Sequence, residues 1–306
     1  MANLISIHAT NLLNFIRLRF ILLMAILAVE ITACDIYNPK VTTPAYIRID
    51  SMPFVGSPST GGKSQHITDV WVYANNQILG VFTPDSIKPI PVIGEGLVTI
   101  SVAAGVFTDG VKGNRVYYPF FKQYTEAVSL TKGHTTKIRP FASYDDSLKI
   151  PFTWYQDFER SDSGTSQGVY GTAPILRTAF VPGGDTAKYG SYYALVKSAN
   201  ATDVLMLTHN HFFPLRQNGM PVYLEMDYKS TCDLFVGLQG SNGSSSDYTF
   251  DLVLKPVANW TKVYVSFSDE TQKFLSGTQF RFFIRSSEAP GIGNSFSVDN
   301  LKLIQQ

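Results

Sequence analysis

The feature that most constrains the fold of this chain is a series of short runs in which apolar and polar residues alternate, bounded by glycine, asparagine or serine. The runs at 97–103, 222–228 and 280–285 are typical. Alternation with a period of two is the pattern of a strand that buries one face. Aromatic residues make up 13% of the chain and favour strands over helices. The sequence therefore predicts an all-β protein.

The length of the chain predicts two β-domains. With 306 residues and 44% apolar side chains, it can bury two ordinary hydrophobic cores. In the first domain, 45–142, two runs flank Asn75-Asn76, and asparagine tolerates the positive φ of a two-residue hairpin turn. This indicates a small Ig-like sandwich. An acidic, polar stretch at 143–150 is the expected linker, and the runs through 151–306 fit an antiparallel jelly roll.

The first 33 residues have the layout of a secretory signal. Arg17 and Arg19 precede an apolar run at 20–29, and the small residues Thr32 and Ala33 follow it. A helix needs roughly twenty apolar residues to cross a hydrocarbon layer, and this run is half that length. We therefore expect a helical signal segment that is removed, and no stable transmembrane anchor.

The end of this segment, Ile31-Thr32-Ala33-Cys34, resembles the bacterial lipobox. The resemblance implies cleavage before Cys34 and acylation of its thiol, which anchors the chain to a lipid membrane, with 34–44 as a tether. A signal that merely ends near a cysteine is the alternative. If Cys34 is acylated, Cys232 has no partner for an intramolecular disulfide, because the chain has two cysteines. We expect Cys232 to be a small buried residue of a strand.

Both β-domains resemble known modules. The stretch 70–102, with Trp71-Val72-Tyr73, Leu79-Gly80 and Thr83-Pro84, resembles PEGA-like or carboxypeptidase-regulatory-like domains. The second half resembles jelly-roll carbohydrate-binding and galactose-binding-like modules. Four segments carry this resemblance: Asp157-Phe158-Glu159, the strand at 223–228, the segment at 260–265 and the closing run at 296–301. This pairing behind a lipobox is similar to envelope lipoproteins of Bacteroidetes. The resemblance implies fold more directly than function.

Two groups of residues could be catalytic or metal sites. Glu225 and Asp227 lie on the same side of a predicted strand and could be a glycosidase pair, but the second glutamate that laminarinase-like hydrolases place after such a pair is missing. We expect a solvent-facing strand there instead. His209 and His211 could share a metal, but no third ligand is apparent, and a polar turn is the favoured interpretation. No nucleophile elbow, phosphate loop or Cys-x-x-Cys pair occurs, so we expect no catalytic site.

Two binding sites follow from the jelly-roll resemblance. In such modules the first and last strands often hold a structural calcium, which implies acidic ligands at Glu159 and Asp299; no other cofactor is expected. Sugars pack their CH faces on aromatic rings, and Tyr248, Trp260 and Tyr192 are the candidates for that role. Most aromatic residues of a sandwich fill its core, and Tyr248 is the least expected to do so because it borders the polar loop 240–246.

The sequence thus predicts a non-catalytic lipoprotein of the cell envelope, anchored in the outer membrane on its periplasmic face or at the cell surface. Its jelly roll is expected to bind a glycan or a protein partner. A structural component of a surface, adhesion or secretion assembly is the alternative, and a divergent glycoside hydrolase is less favoured. Lysine plus arginine number 25 against 24 aspartate plus glutamate, which gives no basic field for nucleic acid.

Overall fold

A computed structural model describes residues 17–24, 42–56, 64–84, 88–145, 153–161, 164–180, 190–243 and 245–306. The chain forms two compact units, Met1–Pro44 and Ala45–Gln306. In the first unit, residues 17–24 are helical and exposed, and their role as a signal segment stays a prediction. Among the described residues no helix has the length and apolar character that a membrane span requires. Cys34 lies outside the described residues, so its acylation stays a prediction.

The unit Ala45–Gln306 begins with a sandwich of eight strands, called here the N-terminal sandwich. One sheet has the order β4-β1-β8, with β1 and β8 parallel. The other has the order β3-β2-β5-β6, and β7 also pairs with β5. The strands are β1 (Ala45–Ile49), β2 (Asp69–Ala74), β3 (Gln77–Phe82), β4 (Ile90–Val92), β5 (Gly96–Phe107), β6 (Arg115–Tyr117), β7 (Tyr124–Leu130) and β8 (Thr135–Ile138).

The C-terminal sandwich consists of two antiparallel sheets. Sheet I has the order β10-β13-β18-β15-β16, and sheet II has the order β11-β12-β19-β14-β17, with β9 pairing with β19. The strands are β9 (Trp154–Gln156), β10 (Thr165–Ser166), β11 (Ile175–Ala179), β12 (Tyr192–Lys197), β13 (Met206–His209), β14 (Val222–Ser230), β15 (Leu234–Ser241), β16 (Ser246–Leu254), β17 (Val257–Ser266), β18 (Gln279–Ser286) and β19 (Ser295–Gln305). A short 3-10 helix, Glu270–Lys273, precedes β18.

The all-β prediction is confirmed, because its signals come from residues that are neighbours in the chain. Asn75 and Asn76 have φ values of +48° and +65°, so they form the tight turn between β2 and β3. The core between sheets I and II takes alternate residues of each strand, including Leu234, Val236 and Leu238 of β15. The predicted linker 143–150 overlaps residues outside the described part, and the domain boundary there stays a prediction.

The two sandwiches meet on the outward side of sheet II. Tyr223 and Tyr264 of that sheet belong to the same buried cluster as the core of the N-terminal sandwich. The ring of Tyr118 lies 5.4 Å from that of Tyr223 and 5.0 Å from that of Tyr264, between centroids, in edge-to-face geometry. The backbone also joins there, because Asp109 N donates to the carbonyl of Tyr264. The junction is therefore a packed aromatic interface.

Glu225 lies at the centre of this junction, so the expectation of a solvent-facing strand is wrong. Its carboxylate is fully buried and accepts hydrogen bonds from the hydroxyls of Tyr118, at 2.7 Å, and Tyr144, at 2.8 Å. Lys262 Nζ and Lys302 Nζ lie 3.8 and 4.0 Å from Glu225 Oε2. Burial alone would raise the pKa of Glu225, but these two ammonium groups and the hydrogen bonds hold it below its ordinary value.

Candidate functional site

The outward side of sheet I carries an extended group of aromatic side chains that remains partly open to solvent. Since alternate residues of β15, β16 and β18 fill the core, the residues between them point away from it. Those residues, with one contribution from a loop, form what we call the aromatic face: Tyr170, Tyr248, Phe283, Phe250 and Phe235.

The five rings of the aromatic face form a continuous series. Tyr170 to Tyr248 is 5.4 Å between centroids, Tyr248 to Phe283 is 5.6 Å, Phe283 to Phe250 is 5.3 Å, and Phe250 to Phe235 is 5.7 Å. Phe283 is fully buried beneath its neighbours, whereas Tyr170 and Phe250 are each 51% exposed. The face thus has a buried ring in the middle and exposed rings toward its ends.

Tyr170 reaches this face because two glycines let its loop lie close on β13. Gly168 has φ of +65°, and a Cβ there would approach Met206 Cε to 3.0 Å. A Cβ on Gly171 would lie 2.4 Å from the carbonyl oxygen of Gln167. A larger residue at either position would displace the loop, so glycine is required for Tyr170 to stand beside Tyr248.

Polar groups lie directly beside the rings. Arg281 Nε donates to Gln239 Oε1 at 2.7 Å, and Gln239 Nε2 donates to Ser246 Oγ at 2.8 Å. The guanidinium of Arg285 lies 5.9 Å from the centroid of the Tyr170 ring. Burial raises the pKa of Tyr248, which keeps its hydroxyl protonated at neutral pH. The face therefore combines apolar ring surfaces with groups that donate and accept hydrogen bonds.

The structure separates the three aromatic residues singled out from the sequence. Tyr248 lies on the aromatic face, whereas Trp260 and Tyr192 lie on sheet II. Tyr192 packs against the core, with the guanidinium of Arg177 3.2 Å from its ring centroid. Trp260 lies beside Tyr193, at 5.5 Å between ring centroids. These three residues therefore do not form one site.

The other members of the face were not predicted from the sequence. Phe235 and Phe283 alternate with core residues on β15 and β18, so the alternation itself could have identified them as outward-facing. Arg281 and Arg285 flank Phe283 with the same spacing of two. Tyr170 lies in a loop that is brought to sheet I by the fold, and no local pattern in the sequence predicts its position.

His209 is packed among aromatic rings. It is 4% exposed, and its ring centroid lies 4.8 Å from that of Trp154 and 4.6 Å from that of Phe213. Burial lowers its pKa, which keeps the imidazole neutral at neutral pH. His211 N donates to His209 Nδ1 at 2.9 Å, so that nitrogen is engaged within the turn itself.

The calcium site through Glu159 and Asp299 stays a prediction. Among the described residues no group of three or more histidine, cysteine, aspartate or glutamate side chains is placed to hold a metal ion. Glu159 Oε1 accepts hydrogen bonds from the backbone amides of Ser191 and Tyr192, at 2.6 and 3.0 Å. Burial raises the pKa of Asp299 to about 8. Cys232 lies between β14 and β15 and is only partly buried against the core, so the expectation of a buried strand residue is wrong.

Comparisons with known proteins give no family for this chain. No protein-family model matches it, and no curated protein matches it. Among solved structures, a mutant of the carbohydrate-binding module CBM29-2 matches with 13% identity and a TM-score of 0.31, over 49% of this chain and 91% of that chain. The family 11 carbohydrate-binding module of the cellulosomal cellulase Lic26A-Cel5E of Clostridium thermocellum matches with 14% identity and a TM-score of 0.32, over 46% and 85%.

A third similar structure holds the CBM22-1 and GH10 modules of Clostridium thermocellum endo-1,4-beta-D-xylanase 10B, complexed with xylohexaose. It matches with 11% identity and a TM-score of 0.36, over 50% of this chain and 28% of that chain. Similarities at this level carry no argument about function, and the chain is assigned to none of these families.

Proposed function

We propose that this protein binds a carbohydrate chain on the aromatic face and does not cleave it. The observation that carries the proposal is the series of five rings across neighbouring strands, with Tyr170 and Phe250 half exposed. Sugar rings present CH groups that pack on aromatic rings, and the half-exposed Tyr170 and Phe250 each offer one such ring to a unit of the chain. Arg281 and Gln239, beside Tyr248, supply hydrogen-bonding groups for the hydroxyls.

The absence of cleavage is supported by the surroundings of the strand carboxylates. A glycosidase needs two carboxyl groups that reach the scissile bond from either side. Glu225 is fully buried, and both of its oxygens accept hydrogen bonds from protein donors. It is therefore closed to substrate, and it lies on sheet II rather than on the aromatic face.

The test of binding is a panel of soluble polysaccharides and oligosaccharides, measured with the full chain by affinity electrophoresis and calorimetry. We expect affinities on the order of micromolar to millimolar, because ring stacking must offset the removal of water from hydroxyls. Phe250→Ala should abolish binding. Phe141→Ala is the matched control, since Phe141 is 45% exposed on the N-terminal sandwich and Phe250 is 51% exposed. Equal binding by both variants, or no binding across the panel, contradicts the proposal.

We also propose that Cys34 carries the lipid that anchors the protein to a membrane of the cell envelope. The lipobox-like segment before Cys34 supports this, since two or more acyl chains hold a protein firmly in a bilayer. Cys34→Ala should remove acyl labelling and release the protein from the membrane fraction. Cys232→Ala is the control that should keep both. Equal labelling of the Cys34 variant and the natural protein would rule out the anchor.

A further inference from the structure

A cavity lies at the junction of the two sandwiches, on the outward side of sheet II. We call it the junction cavity; its lining includes Ser64, Asp227, Trp260, Lys262, Asp299 and Asn300. It has a volume of about 280 Å³. That is room for on the order of ten water molecules, or for one small polar ligand. Its residues are separate from those of the aromatic face, which lies on sheet I.

Two buried donors in the lining lack hydrogen-bond partners among the described residues. The side chain of Lys262 is 4% exposed, and its ammonium group makes no hydrogen bond, because Glu225 Oε2 and Asp227 Oδ2 are 3.8 and 4.0 Å away. Trp260 Nε1 is buried in the same way. A buried donor without an acceptor is costly, and both residues line the cavity, so a ligand that supplies acceptor oxygens there would be favoured.

Acceptor and further donor groups are fixed in the same lining. Asp227 Oδ2 accepts hydrogen bonds from Asn300 Nδ2, at 2.9 Å, and from Ser64 Oγ. Asn300 has φ of +49°, a conformation that asparagine tolerates, and its backbone amide donates to Asp299 Oδ1 at 2.7 Å. Because burial raises the pKa of Asp299 to about 8, its carboxyl is protonated at neutral pH and can itself donate.

The balance of charge selects the class of ligand. Asp227 and Lys262 line the cavity, Glu225 and Lys302 are paired next to Lys262 outside the lining, and a protonated Asp299 adds no charge. An anionic ligand would leave an uncompensated negative charge in a buried site, and a cation would lie against the ammonium of Lys262. A neutral ligand with adjacent hydroxyls can accept from Lys262 and Trp260 while it donates to Asp227.

We propose that the junction cavity is a second binding site, which takes one neutral polyhydroxylated unit of monosaccharide size. It is independent of the aromatic face, and either site can exist without the other. Since one wall comes from residues 64–66 and the other from sheet II, an occupant contacts both sandwiches.

The test uses glucose, galactose and mannose as probes, with glucuronate as the charged counterpart, measured with the full chain by calorimetry and thermal unfolding. We expect at least one of the neutral hexoses to bind saturably and to raise the melting temperature with concentration, while glucuronate does not. Lys262→Met should abolish this binding. Because that change could disturb the junction, Trp260→Phe, which keeps an aromatic ring and removes the N–H, should weaken binding about threefold to tenfold, the loss expected for one hydrogen bond.

Tyr248→Ala separates the two sites. It should leave hexose binding at the junction cavity unchanged and should weaken only the binding of longer chains at the aromatic face. The proposal is overturned if none of the three hexoses binds, if glucuronate binds as well as they do, or if Trp260→Phe has no effect. Loss of hexose binding in Tyr248→Ala would also overturn it, because the hexose would then occupy the aromatic face.

Discussion

The two outward sides of the C-terminal sandwich arise from the same alternating pattern, but one is partly exposed to solvent and the other is buried. On sheet I, the outward residues form the aromatic face, and two of its rings are half exposed. On sheet II, the outward residues Tyr223, Glu225 and Tyr264 are buried under the N-terminal sandwich. Alternation therefore determines which side chains leave the core of a sandwich, and the arrangement of the neighbouring sandwich determines whether they meet water.

Because of this difference, we expect the side on sheet II to act in stability and the side on sheet I to act in binding. Buried charges on sheet II are held by partners from the N-terminal sandwich, so changes there should act on stability. Exposed rings on sheet I contribute less to the core, so changes there should act on binding. The predictions below run from the largest expected effect on stability to the smallest.

Glu225→Gln should destabilise the protein the most. It leaves Lys262 and Lys302 buried without their shared counter-charge, and breaking a buried ion pair costs about 3–5 kcal/mol. The control is Asp233→Asn, which breaks the pair between Asp233 and Lys255 at 2.8 Å, where the side chains are 39% and 74% exposed. That change should cost less than about 1 kcal/mol. Similar losses in denaturant unfolding would mean that the junction is not the electrostatic centre described here.

Asp299→Asn should change how stability depends on pH. Burial raises the folded pKa of Asp299 to about 8 from 3.8, with Asp227 and Asp157 adding to the rise and Lys262 opposing it. The folded state therefore holds a proton that the unfolded state loses, so the contribution of Asp299 to stability falls as pH rises from about 4 to 8. Lys302, whose pKa is lowered to about 8, adds no slope at pH 5–7, because it is protonated in both states there.

In the Asp299→Asn variant this slope should disappear. Between pH 5 and 7, the free energy of unfolding of the variant minus that of the natural protein should increase by up to about 1.4 kcal/mol per pH unit. Parallel pH profiles for the two proteins would show that Asp299 is ionised in the folded state.

Much of the fold was predictable from the sequence because its signals are local. The Asn75-Asn76 turn and the alternating strands at 222–228 and 280–285 depend on residues that are neighbours in the chain. The burial of Glu225 was not predictable in this way. Its partners Tyr118 and Tyr144 are separated from it by 107 and 81 residues, so only the tertiary arrangement brings them together.

The candidate site was predictable in part for the same reason. Tyr248 was identified because it borders a polar loop, and it does lie on the aromatic face. Trp260 and Tyr192 carry equally aromatic side chains, but sequence alone does not assign their strands to sheet II. Tyr170 depends on the close approach of Gly168 and Gly171 to their neighbours, which no periodic pattern signals.

Phe250→Ala should have the smallest effect on stability among these changes. Phe250 is 51% exposed, so its removal uncovers little apolar surface, and the free energy of unfolding should fall by less than about 1 kcal/mol. The measurement is denaturant unfolding. A loss of 3 kcal/mol or more, typical of a buried phenylalanine, would mean that this ring packs the core and is not a platform.

The central claim is that binding and stability reside on opposite sides of one sandwich, and one paired measurement tests it most directly. Affinity for the best glycan of the panel and free energy of unfolding are measured for Phe250→Ala and Glu225→Gln, under conditions in which both variants are folded. Phe250→Ala should lower the affinity at least about tenfold, as truncation of an important aromatic contact does, and because Phe250 is 51% exposed the free energy of unfolding should change by less than about 1 kcal/mol. Glu225→Gln should lower the free energy of unfolding and leave the affinity unchanged. The account is contradicted if Glu225→Gln lowers only the affinity while Phe250→Ala lowers only stability, or if both variants lose both.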